Sequence, residues 1–157
     1  MRGRLKNRAN KSIWITLPVV LCLLYSYVSA QQDQGEPKDA DFYKNQGLAY
    51  HEKRQYDQAI SDFTKALKIN PKDPYTYFCR GNAYAEKSQY DQAIDDFTKA
   101  LEIDPKAAST YYHRAIAYYF KKEYDKSWKD LKKAEDLGYK IPTEFLESLR
   151  KASGKQS

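Results

Sequence analysis

One segment of 17 residues occurs twice in this chain, and its two copies begin 34 residues apart. Residues 55–71 read QYDQAISDFTKALKINP, and residues 89–105 read QYDQAIDDFTKALEIDP. The copies differ only at Ser61, Lys68 and Asn70 of the first. A catalytic site is normally formed by residues that occur once. The repetition therefore indicates a modular architecture, because a chain of like units repeats the residues that pack one unit against the next.

The apolar residues of the repeated segment recur at the spacing of an amphipathic helix, on one helical face. In the first copy these residues are Tyr56, Ala59, Ile60, Phe63, Ala66 and Leu67. Pro71 ends the helix, because proline disfavours helical geometry in the residue before it. A second stripe upstream, at Tyr43, Gly47 and Tyr50, indicates another helix. The short sequence KRQYD between the two helices predicts an antiparallel helical hairpin.

The hairpin occurs three times along the chain. The second unit repeats the pattern as far as Pro105. The third has no such proline, and Gly138 is expected to end its helix in a left-handed conformation. A single hairpin cannot bury its apolar face, so each unit needs a like neighbour, and about three units are the minimum for stability. One more helix begins at Pro142. The residues that we expect to cover the third unit are Phe145, Leu146 and Leu149.

These residues resemble the tetratricopeptide repeat family, whose period is about 34 residues. The family's series of large aromatic, Gly, Tyr, Ala, Phe, Ala and Pro matches Tyr43, Gly47, Tyr50, Ala59, Phe63, Ala66 and Pro71. It matches again at Tyr77, Gly81, Tyr84, Ala93, Phe97, Ala100 and Pro105. The third unit departs from the series at Ala115, Ser127, Leu131 and Tyr139.

The resemblance implies an all-α fold, a right-handed solenoid of three helix-turn-helix repeats with a C-terminal capping helix. The expected organisation is a leader, a polar linker, the repeat region and a closing segment, at residues 1–30, 31–39, 40–141 and 142–157. The three repeats are residues 40–73, 74–107 and 108–141. Small residues at Gly47, Ala59 and Ala66 are expected to let the helices of one repeat approach closely.

Residues 1–30 have the layout of a secretory signal peptide. A basic start precedes an apolar run at residues 13–28, and small side chains lead to Ala30. We expect cleavage after Ala30 and a periplasmic or secreted protein. An uncleaved membrane anchor stays open as the alternative, although Pro18 interrupts the run and a typical spanning helix has about 20 apolar residues. In that case residues 13–28 are the contact with the membrane.

The net charge of +6 does not indicate nucleic-acid binding. The leader contains five of the 27 basic residues and none of the 21 acidic ones, so the rest of the chain is nearly neutral. Its charges alternate in sign and form no basic stripe for phosphates. After cleavage Cys79 is the only cysteine, which excludes an internal disulfide.

In proteins similar to this one the first helix of each repeat lines the concave side, so the resemblance implies a groove there. Its candidate residues are Lys44, Asn45, Leu48, His51, Phe78, Cys79, Asn82, Tyr112, His113, Ile116 and Tyr119. About half of them are expected to pack between neighbouring first helices instead, because stacked repeats bury a continuous core.

Two of these candidates raise the question of catalysis. Cys79 and His113 stand at equivalent positions one repeat apart, so stacking could bring the two side chains together. A nucleophile and its general base need to be in contact in this way. No orienting group or oxyanion site accompanies them in the sequence. With His51 they make too few ligands for zinc, which takes about four. We therefore expect no catalytic, metal or cofactor site.

One known use of such a groove in the family is a carboxylate clamp for the acidic tails of heat-shock chaperones. Lys44 matches the first lysine of the clamp. Leu48 and Cys79 replace its asparagines, and Ser109 and His113 replace its remaining lysine and arginine. The sequence therefore argues against this partner.

The charged residues of the repeats have simpler interpretations. Asp62, Asp96 and Asp130 recur on the second helices and are expected to be solvated on the convex side. Arg80 and Arg114 lie close to the core stripe, where their stems are expected to pack while their guanidinium groups reach an acid such as Asp62 or Asp96.

Together the sequence predicts a non-enzymatic module that binds a protein or peptide partner through the groove, outside the cytoplasm. The alternative is a structural, self-associating module of an envelope complex. No nucleic acid or cofactor is expected to bind.

Overall fold

Seven α-helices follow one another in the computed structural model, which describes residues 39–154. The leader and most of the polar linker predicted above lie outside the described residues. The helices are α1 (Ala40–Glu52), α2 (Tyr56–Ile69), α3 (Pro74–Glu86), α4 (Tyr90–Ile103), α5 (Ala108–Phe120), α6 (Tyr124–Asp136) and α7 (Thr143–Ser153). We call α1, α3 and α5 the first helices and α2, α4 and α6 the second helices.

The helices form consecutive helix-turn-helix pairs, which confirms the all-α solenoid. Each first helix packs against the second helix that follows it, and α2 and α4 also pack against the next first helix. The first helices contact one another directly, whereas α7 contacts α6. No strand occurs in residues 39–154, and no helix there is long and apolar enough to cross a membrane.

The ends of the helices are marked by capping residues and by left-handed turn residues. Asp73 caps α3 by accepting a hydrogen bond from the backbone N–H of Tyr75, and proline fills the first helical position. The turn inside each pair places one residue in the left-handed region, at Arg54, Ser88 and Lys122. Gly138 has a φ of 86° just after α6, which confirms the predicted left-handed end of that helix.

Glycine is required where the two helices of a pair cross most closely. A Cβ atom on Gly81 would lie 2.7 Å from Cε1 of Phe97, whose ring is fully buried. The same relation holds between Gly47 and Phe63. The expected close approach through small residues is therefore confirmed. In the third pair both residues differ: Ala115 takes the place of the glycine, and Leu131 takes the place of the phenylalanine.

Changing Gly81 to alanine should destabilise the protein, because an added methyl group overlaps the Phe97 ring and overpacking costs about 1–3 kcal/mol. Combining Gly81→Ala with Phe97→Leu recreates the pair that the third unit uses. The double variant should lose less free energy of unfolding than the two single variants lose together, with a difference of about 1 kcal/mol or more. Urea denaturation of the four proteins measures this coupling. Strictly additive losses would show that the two residues do not constrain each other.

The three aspartates that were expected to be solvated are buried, so that expectation is wrong. Asp62, Asp96 and Asp130 have exposed fractions of 3%, 5% and 5%. They lie where a second helix faces its own first helix, and an arginine from that first helix covers two of them. Asp62 instead pairs with Lys65 on the same helix, at 2.6 Å.

Two arginines connect neighbouring pairs through these buried carboxylates. Arg80 donates from Nε and Nη2 to both oxygens of Asp96, at 2.7 Å each, and from Nη1 to Thr64 Oγ1 at 3.0 Å. It therefore joins the second helix of its own pair to the second helix of the preceding pair. The expectation that Arg80 reaches Asp96 is confirmed. Gln46 holds the equivalent position in α1, before which no described helix lies.

The same arrangement recurs one repeat later. Arg114 donates to both oxygens of Asp130, at 2.7 and 2.9 Å, and to Thr98 Oγ1 at 3.0 Å. Each arginine therefore ties two second helices to one first helix. Because the contacts repeat with the chain's own period, they specify the register in which one pair stacks on the next.

The last helix covers the open end of the third pair, as the sequence predicted. Leu149 is fully buried in a cluster with Ala115 and Leu131. Phe145 and Leu146 pack against the same cluster. The other end of α7 is held by Trp128, whose Nε1 donates to the Ser153 hydroxyl at 3.2 Å. The helix is therefore part of the domain core.

Candidate functional site

A cavity of about 600 Å³ lies on the side of the fold formed by the first helices. We call it the central cavity. Its lining residues are His51 from α1; Asn82, Ala85 and Glu86 from α3; Ser88 from the turn between α3 and α4; Tyr90 and Phe97 from α4; and His113, Ile116, Ala117 and Phe120 from α5. Side chains from all three first helices thus meet at one site, although their helices are far apart in sequence.

The repeat period explains why the cavity has one polar and one apolar edge. Asn82 and Glu86 in α3 are equivalent to Ile116 and Phe120 in α5, one repeat later. Stacking places equivalent positions of neighbouring units side by side. A polar edge from the second unit therefore faces an apolar edge from the third.

His113 is a neutral acceptor at the floor of the cavity. Its Nδ1 lies 2.8 Å from the backbone oxygen of Ser109, so Nδ1 carries the proton and donates it to that carbonyl. The ring packs edge-on against Phe78, with centroids 5.0 Å apart. Burial lowers the pKa of His113, which keeps the imidazole uncharged at neutral pH. Its Nε2 then presents a lone pair.

His51 contributes a second imidazole with an unused atom. Its Nε2 is buried and has no hydrogen-bond partner among residues 39–154. The ring lies edge-on to Tyr56, with centroids 5.4 Å apart. The Tyr56 hydroxyl in turn donates to Glu86 Oε2 at 3.3 Å. This contact links α2 to the polar edge of the cavity.

The apolar edge ends in a stacked aromatic pair. The rings of Tyr90 and Phe120 are nearly parallel, 7° apart in angle and 5.1 Å apart between centroids. Phe120 is 54% exposed, which is unusual for so large an apolar side chain. It therefore offers an aromatic face to a molecule in the cavity.

The central cavity contains four of the predicted groove residues: His51, Asn82, His113 and Ile116. The structure distributes the others differently. Asn45 is exposed on α1, and Leu48 packs against the core that contains Phe63. Phe78 packs between the His113 ring and a smaller cavity of about 180 Å³ that it lines with Tyr75.

Two predicted groove residues are covered by the closing part of the chain. Tyr112 stacks on Tyr139, with centroids 4.9 Å apart, and meets the edge of Phe145. Tyr119 also meets Phe145, at 5.5 Å. α7 and the segment before it therefore pack onto that part of the first-helix side, and both tyrosines are left partly exposed. Substituting them would disturb the core.

Glu86, Tyr90 and Phe120 line the cavity but were not among the predicted groove residues. A signal was present, because Glu86 and Phe120 each lie four residues beyond a predicted groove residue, Asn82 or Ile116, on the same helical face. In α3 the predicted stripe stopped one turn before Glu86, whereas in α5 it reached Tyr119 and missed the adjacent Phe120.

Cys79 and His113 do not have the partners that a catalytic pair would need. Cys79 is 6% exposed and shares a hydrogen bond with Tyr75 on its own helix, while His113 bonds to Ser109 on its own helix. Burial raises the pKa of the Cys79 thiol to about 11, which disfavours the nucleophilic thiolate at neutral pH. Among residues 39–154, no group of three or more His, Cys, Asp or Glu side chains could hold a metal ion.

Lys44 is also committed to contacts at the start of the domain. Its ammonium group pairs with Asp41 at 2.5 Å and lies 3.6 Å from Asp73. The hydrogen bond to Asp41 raises the pKa of Lys44. Its charge is therefore offset by two carboxylates.

Two comparisons with known proteins identify the repeats. Models of the tetratricopeptide repeat family match residues 74–107 and residues 47–88. A search of the curated proteins found no match. Solved structures of the same architecture do match, and they cover most of the described residues.

Three of these structures illustrate the similarity. The first TPR of Spaghetti (RPAP3), bound to the HSP90 peptide SRMEEVD, is 25% identical with a TM-score of 0.68, and the match covers 74% of this chain and 92% of that one. The OM64 TPR domain of Arabidopsis is 29% identical with a TM-score of 0.67, covering 71% and 94%. YrrB, described as a TPR protein with an unusual peptide-binding site, is 24% identical with a TM-score of 0.63, covering 66% and 53%. With the helical pairs described above, these matches show that residues 47–107 of this chain are tetratricopeptide repeats.

Proposed function

We propose that this chain is a non-enzymatic interaction module that binds a segment of a protein partner in the central cavity. The observation that carries the proposal is the convergence of three first helices on one site that combines the polar side chains of Asn82 and Glu86 with the exposed aromatic ring of Phe120. Such a site offers both an anchor for an apolar side chain and hydrogen bonds for a backbone. The similar domain of Spaghetti is itself bound to a peptide.

The chemistry of the site supports a partner other than an acidic chaperone tail. Of the positions that correspond to the carboxylate clamp, Lys44 is paired with two carboxylates, Cys79 is buried and His113 is neutral. A carboxylate in the groove would meet no free cation at these three positions. The peptide SRMEEVD should therefore bind this chain no better than a scrambled peptide of the same composition.

The non-enzymatic part of the proposal is supported by the protonation states of the two residues best suited to catalysis. A buried thiol with a raised pKa and a histidine that already donates to a carbonyl form no activated nucleophile.

We further propose that the module acts outside the cytoplasm, after removal of residues 1–30. The basic, apolar and small-residue regions of the leader support this localisation. Intact-mass measurement of the protein isolated from its native host should give a chain that begins at Gln31. A mass that includes residues 1–30 would instead assign it to the membrane.

Site-specific photo-crosslinking in the native host tests the proposed site directly. A photoreactive phenylalanine analogue is placed at Phe120 on the first-helix side, or at Ile69 at the end of α2 as the control. The two side chains have similar exposed fractions, 54% and 51%. Position 120 should give a discrete protein adduct in cells, and position 69 should not.

Two other results would count against the proposal. Adducts from position 69 alone, or equally from both positions, would contradict the assignment to the central cavity. An adduct of twice the chain's mass from position 120 would show that the chain binds its own copy, which is the self-associating alternative.

A further inference from the structure

The central cavity contains one formal charge, and this charge is negative. Among its eleven lining residues, Glu86 is the single acidic residue, and none is a lysine or arginine. His113 does not offset the carboxylate, because its imidazole is neutral. A partner side chain that enters the cavity therefore meets one carboxylate and no opposing lysine or arginine among the lining residues.

The nearest lysines along the chain do not reverse this charge. Lys87 and Lys121 are the first residues after α3 and α5, directly beside Glu86 and Phe120 in sequence. Lys87 pairs with Asp57 of the preceding unit, and Lys121 pairs with Asp91 in the same way. Both ammonium groups are thus held by carboxylates across the boundary between neighbouring repeats.

The polar atoms of the cavity are mainly suited to accept hydrogen bonds. Glu86 offers carboxylate oxygens, and His113 offers the lone pair on Nε2 because its Nδ1 donates to Ser109. A ligand group rich in N–H donors would satisfy several of these atoms at once.

The aromatic pair at the other edge favours the same kind of group. The exposed face of Phe120, backed by the parallel ring of Tyr90, can attract a cation through its ring quadrupole. The aliphatic stem of a lysine or arginine would lie along Ile116 while its charged end reaches the acceptors.

We propose that the central cavity selects partner segments that carry a lysine or arginine beside apolar residues. This inference rests on the proposed function, and it names the chemistry of the segment that the cavity receives. The preference is opposite in charge to that of a carboxylate clamp. It arises because the cavity has a glutamate, and no lysine or arginine, among its lining residues.

Selection from a phage-displayed library of random twelve-residue peptides on the purified chain tests the inference. The selected peptides should be enriched in lysine or arginine at one position with apolar residues beside it. In a synthetic copy of the tightest peptide, replacing that basic residue by norleucine removes the charge and keeps the stem. The replacement should weaken binding about tenfold, through loss of the ion pair and the cation–π contact.

Matched variants of the chain locate the effect. Glu86→Gln should reduce the preference for the basic peptide over its norleucine form by about threefold. Glu52 occupies the equivalent position of the first unit and does not line the cavity, so Glu52→Gln should change neither affinity.

The outcomes separate this inference from the function on which it rests. Selected peptides that lack basic residues, or prefer acidic ones, yet lose binding to the Phe120→Ala variant, would overturn the charge preference and leave the binding site intact. The same holds if Glu86→Gln leaves the preference unchanged. If no peptide is selected, or the selected peptides bind Phe120→Ala as well as the unchanged chain, both the inference and the proposed function fail.

Discussion

Removal of residues 142–157 is expected to lower the free energy of unfolding by about 4 kcal/mol or more and to cause aggregation. Leu149 is fully buried, Phe145 and Leu146 are half-buried, and burying such side chains stabilises a protein by about 1.5–3 kcal/mol each. Truncation also removes Leu149 from the buried cluster that it forms with Leu131 and Ala115. Urea denaturation and light scattering measure the two effects.

Point variants on α7 separate packing from truncation itself. Leu149→Ala should cost about 2–5 kcal/mol, as usual for a fully buried leucine. Glu147→Ala changes an exposed residue of the same helix and should leave stability within about 0.5 kcal/mol. A truncated chain that stays monomeric and melts at the original temperature would show that α7 is dispensable for folding.

Loss of Arg80 is expected to destabilise the solenoid by about 3–5 kcal/mol at neutral pH, because it leaves the buried carboxylate of Asp96 without its partner. Arg80→Met keeps an apolar stem of similar length. The double variant Arg80→Met with Asp96→Leu removes both charges and should recover most of the loss. Chemical denaturation of the single and double variants measures this recovery. Equal stability of the two variants would show that the buried carboxylate of Asp96 costs little without Arg80.

The pH dependence of the Arg80→Met variant provides an independent check. Burial raises the pKa of Asp96, and Arg80 opposes that effect. Without the guanidinium the native-state pKa rises further, so the native state holds a proton that the unfolded state has released. Stability from such a group is present at low pH and is lost as the pH rises through the native pKa. The deficit relative to the unchanged protein should therefore be smaller at pH 4 than at pH 7.

The sequence was sufficient for features that depend on contacts within one repeat. The apolar spacing placed Phe97 in the core, and the glycine at position 81 indicated the close helix crossing that the structure shows. These contacts repeat with the chain's period, so the sequence contains two copies of the same pattern. The closing helix was also predictable, because Leu149 and its neighbours have the spacing of one buried face.

Features that depend on how units stack were harder to predict. The contact of Arg80 with Asp96 inside one repeat was expected, but its second contact, with Thr64 of the preceding unit, was not. Tyr112 and Tyr119 were assigned to an open groove because the path of α7 across the first-helix side cannot be read from helical periodicity. The central cavity itself combines residues from three repeats, and only the stacked structure shows which of them meet.

Chemical-shift mapping tests the central claim of a binding site on the first-helix side most directly. The uniformly ¹⁵N-labelled chain is titrated with the tightest peptide from the library selection, and its amide shifts are followed. We expect the largest changes at residues that line the central cavity, including Asn82, Glu86 and Phe120, with few changes along α2 and α6. Changes concentrated on α2 and α6 would contradict the assignment of the binding site to the first-helix side.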